Sequence, residues 1–385
     1  MWNRKPLKEV AYTAGRIGWK GLTAREYVAE GPNFLSVHSL NYGDFVDFRD
    51  AFNITQARYD ESPEIAVEAN DILICKDGAG IGKVGIVKYV DAPTTINSSL
   101  LLIRSLSEIY PKFLYHYLQS PFFQKIVQER IEGATTPHLY QREIKEFPVP
   151  IPELSEQQRI VAILDQAFAD IEKARVNAEK NLKNARELFD SYLQQVFSQR
   201  GEGWVNVPFS QCFKLTSGDN LTSKNMIAGD FPVYGGNEIA GMHNEFNLHG
   251  DNVIIGRVGA LCGNARHIQK KIWLTDNAFK IVDFKYDFDN AFLTYMLNFK
   301  KLRNLARQAA QPVISNSSLK DLALDFPISI EEQRAISSRA DWLFQETSKL
   351  TSVYINKQKS LDELKKSLLQ KAFSGELTKT EGMVA

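Results

Sequence analysis

Residues 155–199 read SEQQRIVAILDQAFADIEKARVNAEKNLKNARELFDSYLQQVFSQ. Apolar side chains fall at Ile160, Leu164, Ala167, Ile171, Ala174, Ala178, Ala185, Leu188 and Tyr192, and Asn181 completes the series. The steps alternate four and three, the 3.5-residue repeat of a helix that pairs with another helix along a narrow seam. No Pro or Gly interrupts it. The same phase returns 176 positions later, at Ile336, Ala340, Leu343, Thr347, Leu350, Tyr354, Lys357, Leu361, Leu364 and Leu368. The chain is therefore expected to carry two long helices with matched heptads.

Set antiparallel with ends aligned, the two series are complementary. Ala167 faces Leu361, Ala174 faces Tyr354, Ala178 faces Leu350, Ala185 faces Leu343 and Leu188 faces Ala340. Small opposite large is what a filled layer requires. Asn181 falls opposite Thr347, where a lone buried Asn would set register. Lys357 against Ile171 is the mismatch. The seam spans on the order of 50 Å at ~1.5 Å per residue. A second stripe, Val161, Phe168, Leu182, Phe189 and Val196, faces either an intramolecular core or another protein.

Outward from the helices, 385 residues that are 44% hydrophobic suffice for two or three domains,. No long apolar run suggests a membrane span, and MWNRKPLKEV lacks a secretory pattern, so a cytoplasmic location is expected,. Cys75, Cys212 and Cys262 have no metal or redox spacing, nor do the six histidines, and no metal is assigned,. The 46 basic and 46 acidic residues balance, which argues against tight nonspecific nucleic-acid binding by this chain alone,.

The segments before each long helix resemble each other. DILICKDGAGIGKVGIV (71–87) and DNVIIGRVGALCGNARHI (251–268) both read strand, glycine turn, strand, with Gly78 and Gly82 spaced like Gly259 and Gly263. FLYHYLQS answers FLTYMLNF as a short helix, and FPVPIPELSEQQR answers FPISIEEQR at the entry to each long helix. Ser155 with Gln158 and Ser329 with Glu332 fit the capping box, and Gly201 and Gly375 suit the helix ends. The expected organisation is a first domain over 1–154, a helix over 155–200, a second domain over 201–329, then a second helix and tail over 330–385. Self-similarity on this scale outweighs any single motif. The fold class is α+β.

Gly80, Gly82 and Gly85 spell GxGxxG, but the chain continues as a strand where a dinucleotide fingerprint opens a helix, and no Walker loop fits Lys83,. No nucleophile elbow, paired-carboxylate or amine-methylation motif stands out. A binding protein is favoured over an enzyme working through Gly78 to Gly85. A coiled-coil scaffold without DNA reading is the other alternative.

EQQRI (156–160) and EQRAI (332–336) after FPVPIP and FPI carry a specific resemblance. So do the helix ends SYLQQVFS and SLLQKAFSGEL, and FPVYGGNEIAG, GDNVIIGRVGALCGN and TDNAF in the second domain. IGWKGLT and GATTPHLYQREI fit as well. The chain resembles a Type I restriction-modification specificity (S) subunit over essentially its whole length. The resemblance implies a noncatalytic DNA reader with two target-recognition domains, each taking half of a split site. The helix pair would set the spacing and dock two modification subunits that bind S-adenosylmethionine and methylate adenine. Restriction (motor-nuclease) subunits are a further class of partner. The seam length suggests half-site centres on the order of 10–15 base pairs apart.

Donor and acceptor side chains on loops suit base edges. In the first domain these are Lys20, Lys76, Lys83, Thr135, Thr136, His138, Tyr140, Gln141 and Arg142. In the second they are Tyr234, Asn237, His243, Arg257, Asn264, Arg266, Gln311, Ser315 and Asn316, with the rings of Tyr140 and Tyr234 expected to pack as core. Lys300, Lys301, Arg303 and Arg307 suit either phosphate contact or a solvated face.

Overall fold

A computed structural model describes residues 2–16, 22–131, 138–199, 201–307 and 312–379. The polypeptide forms two compact units, Met1–Asn177 with Lys357–Ala385, and Ala178–Asn356.

The first unit is built on β1 (Ala11–Ala14), β2 (Ile72–Cys75), β3 (Val84–Ile86) and β4 (Leu100–Ser105), antiparallel in the order β1-β4-β2-β3. Successive side chains alternate faces, and here both faces are covered. Ile72, Ile74, Leu101 and Ile103 pack with Phe113 and Leu118 of helix α1 (Pro111–Gln119) and with Ile160 and Leu164 of α2 (Leu154–Ser198). Leu73, Cys75, Leu100 and Leu102 turn the other way onto Leu35, Leu40 and Val46. A small sheet of Phe52–Asn53, Val28–Leu35 and Thr94–Ile96 stands beside that second core.

The second unit repeats the plan. β5 (Lys214–Ser217), β6 (Asn252–Gly256), β7 (Ala265–Ile268) and β8 (Ala278–Val282) run in the order β5-β8-β6-β7. Val253, Ile255, Phe279 and Ile281 meet Phe292 and Leu297 of α3 (Asn290–Phe299) with Leu193 and Phe197 of α2. Ile254, Ile268 and Ala278 face Tyr234 and Ile272. The companion sheet orders Ile239–His243, Phe231–Tyr234 and Trp273–Leu274 as its counterpart does, one neighbour antiparallel and one parallel. The proline-marked strands Pro148–Pro150 and Ala323–Pro327 pair with Arg4–Pro6 and Trp204–Pro208 in two-stranded ribbons, which tolerate a missing N–H,.

The long helices α2 and α4 (Ile330–Ser374) each contribute to both units, and within each unit they pair antiparallel. In the first, Arg175 pairs with Asp362, and the Lys365 ammonium lies 4.8 Å from the Phe168 ring centroid. In the second, the Tyr192 hydroxyl donates to the Ile336 carbonyl at 3.3 Å and the Phe189 and Phe344 rings meet at 5.5 Å.

The buried stripe departs from the strict heptad. Ile160, Leu164, Ile171, Ala178, Ala185, Ala340, Leu343 and Thr347 are buried, and Ala167, Ala174, Tyr192, Ile336, Tyr354, Leu361 and Leu368 are half-buried. Asn181, Leu188, Leu350, Lys357 and Leu364 are exposed, contrary to the seam expected of them. A straight helix drifts about 20° per heptad against a 3.5 repeat, so burial tracks the 3.6 period instead. Val161 and Phe168 accordingly lie in the first core, and Phe189 and Val196 pack on the second, so these four members of the second stripe are intramolecular. Asn181 sets no register with Thr347, whose buried hydroxyl donates to Leu343 in its own helix at 2.8 Å.

At the helix entries, Ser329 accepts the Glu332 amide at 3.2 Å, as a cap should,. Ser155 does not cap, because α2 already begins at Leu154. Gly375 takes a left-handed φ of 79°, whereas in the other copy Gly203, not Gly201, does so,.

Candidate nucleic-acid interface

In both units the middle of the sheet runs into a glycine turn. Gly78 and Gly82 (φ 76° and 83°) join β2 to β3, and Gly259 and Gly263 (φ 101° and 87°) join β6 to β7. Each pair of strands is an antiparallel hairpin, so no helix N-terminus is offered to a nucleotide phosphate.

The residues before each turn bridge to a distant segment by the same backbone geometry. Asp77 bridges His138 while the Leu139 amide donates to the Lys76 carbonyl at 2.9 Å. Val258 bridges Val313 while the Ile314 amide donates to the Arg257 carbonyl at 2.9 Å. Both segments then enter a one-turn helix, Gln141–Ile144 and Asn316–Leu319, the second capped by Ser315, which accepts the Ser318 amide at 3.2 Å.

In the first unit this construction gathers Lys76, His138, Tyr140, Gln141 and Arg142. The Asp77 carboxylate holds His138 Nδ1, and Lys76 Nζ lies 3.6 Å from the same carboxylate. The exposed Tyr140 ring stands edge-on to His138 at 4.5 Å, with the Arg142 guanidinium 4.9 Å from its centroid. Gln141 is tied down, its amide donating to the Thr13 carbonyl at 3.0 Å. Lys83 is exposed and donates to Asn41 at 2.7 Å. Burial raises the Cys75 thiol behind the turn above its ordinary value, and in the second unit it pushes Cys212 up to about 11, which disfavours the thiolate in both,.

In the second unit Asn237 and Asn264 are exposed around the turn, and the Asn237 side chain accepts the Leu261 amide at 2.9 Å. Arg266 is half-buried and donates to the Asn237 carbonyl; burial lowers its guanidinium from the ordinary range while Glu238 opposes that. Arg257 lies 5.3 Å from the Phe279 centroid, and its Nε is buried without a partner among the described residues. A cleft of about 620 Å³ beside the turn is lined by Asn237, Glu238, Asp276 and Asn277 among others. Its carboxylates, Glu238 and Asp276, are not among the loop donors and acceptors expected from the sequence.

Two candidates are corrected. His243 is buried, its Nδ1 accepting the Ile227 amide at 3.1 Å and its ring edge-on to Trp273 at 5.0 Å, so it supports the small sheet instead of facing a ligand. Tyr234 packs in the core as expected, whereas the Tyr140 ring, expected there too, is exposed. Lys300 is engaged with Asp325 at 2.9 Å. Lys20, Thr135, Thr136 and Gln311 lie outside the described residues. Among the described residues no group of three or more His, Cys, Asp or Glu side chains is placed to hold a metal ion, and no helix is long and apolar enough to cross a membrane.

Comparison with known proteins agrees with this duplicated plan. The chain is 27% identical to the EcoprrI Type I restriction enzyme specificity subunit of Escherichia coli, over 74% of this chain and 73% of that one. It is 21% identical to the StySPI specificity subunit of Salmonella potsdam, over 90% and 86%. Among solved structures, one from a study of type I R-M complex assembly and conformational transition superposes with a TM-score of 0.78 at 18% identity, covering 98% of both chains. The HsdS subunit of Thermoanaerobacter tengcongensis superposes with a TM-score of 0.64 at 18% identity, covering 98% of this chain and 97% of that one. The family described as Type I restriction modification DNA specificity domain matches residues 2–180 and again 201–358. The chain belongs to that family and carries its domain twice.

Proposed function

We propose that the chain is the noncatalytic sequence-specificity subunit of a Type I restriction-modification complex, each domain reading one half of a bipartite DNA site. The observation that carries this reading is the duplication: two domains of one topology, each presenting a glycine hairpin and a bridged, polar segment. Near-neutral charge fits a reader whose partners supply much of the phosphate attraction,. The helix pair sets the half-site spacing and docks two modification subunits, which bind S-adenosylmethionine and methylate adenine; restriction subunits join for cleavage. Trp342, Leu350 and Val353, exposed on one face of α4 in the second unit, supply apolar contact for such docking,.

The test is co-expression with modification subunits followed by mapping of methylated adenines. A split motif is expected, and a continuous one overturns the two-reader reading. The isolated chain, given S-adenosylmethionine and DNA, is expected to transfer no methyl group.

A further inference from the structure

The two domains are an internal comparison. They share one backbone plan and differ in the side chains placed on it. Shared are a cation before the turn (Lys76, Arg257), the left-handed glycines and the one-turn helix. The bridge itself differs: it joins Asp77 to His138 in one domain and Val258 to Val313 in the other, in the same backbone frame. All four residues are half-buried, so each pair is held by its surroundings while part of it meets solvent.

We propose that this bridge is a specificity-determining position of each domain: His138, oriented by Asp77, reads a base edge by hydrogen bonding, and Val258 and Val313 read one by apolar contact. This rests on the reading of the chain as a DNA-specificity subunit. The chemistry follows from the contacts. A carboxylate can only accept, so His138 Nδ1 carries the proton toward Asp77, and in the neutral ring Nε2 is left as a bare acceptor,. An acceptor in the major groove pairs with the exocyclic amine of adenine or cytosine. Tyr140, edge-on to the ring, fixes its plane, and Asp77 is a positioning residue acting through His138. Two valines offer neither donor nor acceptor from their side chains, and match the thymine methyl group.

The experiment uses the assembled modification complex and the genomic DNA of its expression host, with methylated adenines mapped for the wild type, D77V/H138V and V258D/V313H. Each double variant is expected to change preference at one position of one half-site by roughly 5- to 100-fold. The two variants should alter different halves, with the spacing kept. An unchanged motif in both variants overturns the proposal, as does equal loss at every position. H138Q and D77N guard against a double variant that fails to fold: relaxation at that same position by both supports the assignment, and an unchanged motif in both overturns it. A wild-type complex without a split motif would instead count against the specificity reading itself.

Discussion

Gln157 and Gln333 hold the same place in the two copies. Each is fully buried at the start of a long helix. The Gln157 amide donates to the carbonyls of Pro152 (2.9 Å) and Glu108 (3.1 Å) and accepts the Tyr110 N–H (2.8 Å). Gln333 donates to Pro327 (2.9 Å) and Asp287 (3.1 Å) and accepts from Asp289 (2.9 Å). One side chain thus pins a long helix, the chain entering it, and the loop before α1 or α3. Gln157→Leu is expected to strand the buried Pro152 carbonyl at about 1–3 kcal/mol and to leave the part-buried Glu108 carbonyl and Tyr110 N–H to water at a smaller cost,. Urea unfolding should show the loss, and Gln333→Leu should match it.

The glycine turns differ in tolerance. A Cβ on Gly263 would sit 2.5 Å from the Arg303 backbone nitrogen, whereas one on Gly78 meets nothing within 4 Å. Both carry positive φ. Gly78→Ala should cost about 1–2 kcal/mol from backbone strain alone. Gly263→Ala should cost visibly more, and comparison of the two thermal midpoints checks the order.

Two carboxylates tie the first unit to its helices. Burial pushes the Asp44 carboxyl up, but Lys365, Gln119 and Tyr115 outweigh it and leave the group below the ordinary range. Asp165 is likewise raised by burial and drawn lower overall by His116 and Lys112. A depressed folded value means that the stabilisation is present above the unfolded value, about 4, and is lost as pH falls through the folded one. Thermal midpoints measured from neutral pH downward should therefore fall on an acid limb, and Asp44→Asn or Asp165→Asn should flatten it.

Lys76 and Arg257 occupy matched positions before the two turns. If each meets a phosphate, Lys76→Ala and Arg257→Ala should weaken DNA binding about equally on every sequence and reduce the salt slope by about 1. Titration of the assembled complex with specific and scrambled duplexes at several salt concentrations reads both effects. Loss confined to the specific duplex would assign the residue to base reading instead.

Two pieces of the candidate interface were legible separately, Lys76 and Lys83 flanking one glycine turn and His138, Tyr140 and Arg142 clustered in a second short segment. What was missed is non-local. Asp77 acquires a role only through His138, 61 positions away, and nothing in either segment announces the contact. His243 looked like a loop donor, yet Trp273 and the Ile227 amide close over it. Asp276 and Glu238 line a cleft formed by segments separate in the chain.

By itself the sequence determined the doubled plan, the two long helices and the hairpin character of the glycine turns; the layer-by-layer complementarity expected between the helices holds only in part, because Leu188, Leu350 and Asn181 are exposed. These follow from periodicity and local backbone preference, which a linear chain records directly. Only the tertiary structure decided which heptad positions are buried, because each helix packs on a domain as well as on its partner and so follows the 3.6-residue period. It alone also placed Gln157 and Gln333 as clamps and set Asp77·His138 against Val258·Val313, since a side chain's partner is chosen by which distant segment the fold brings to it.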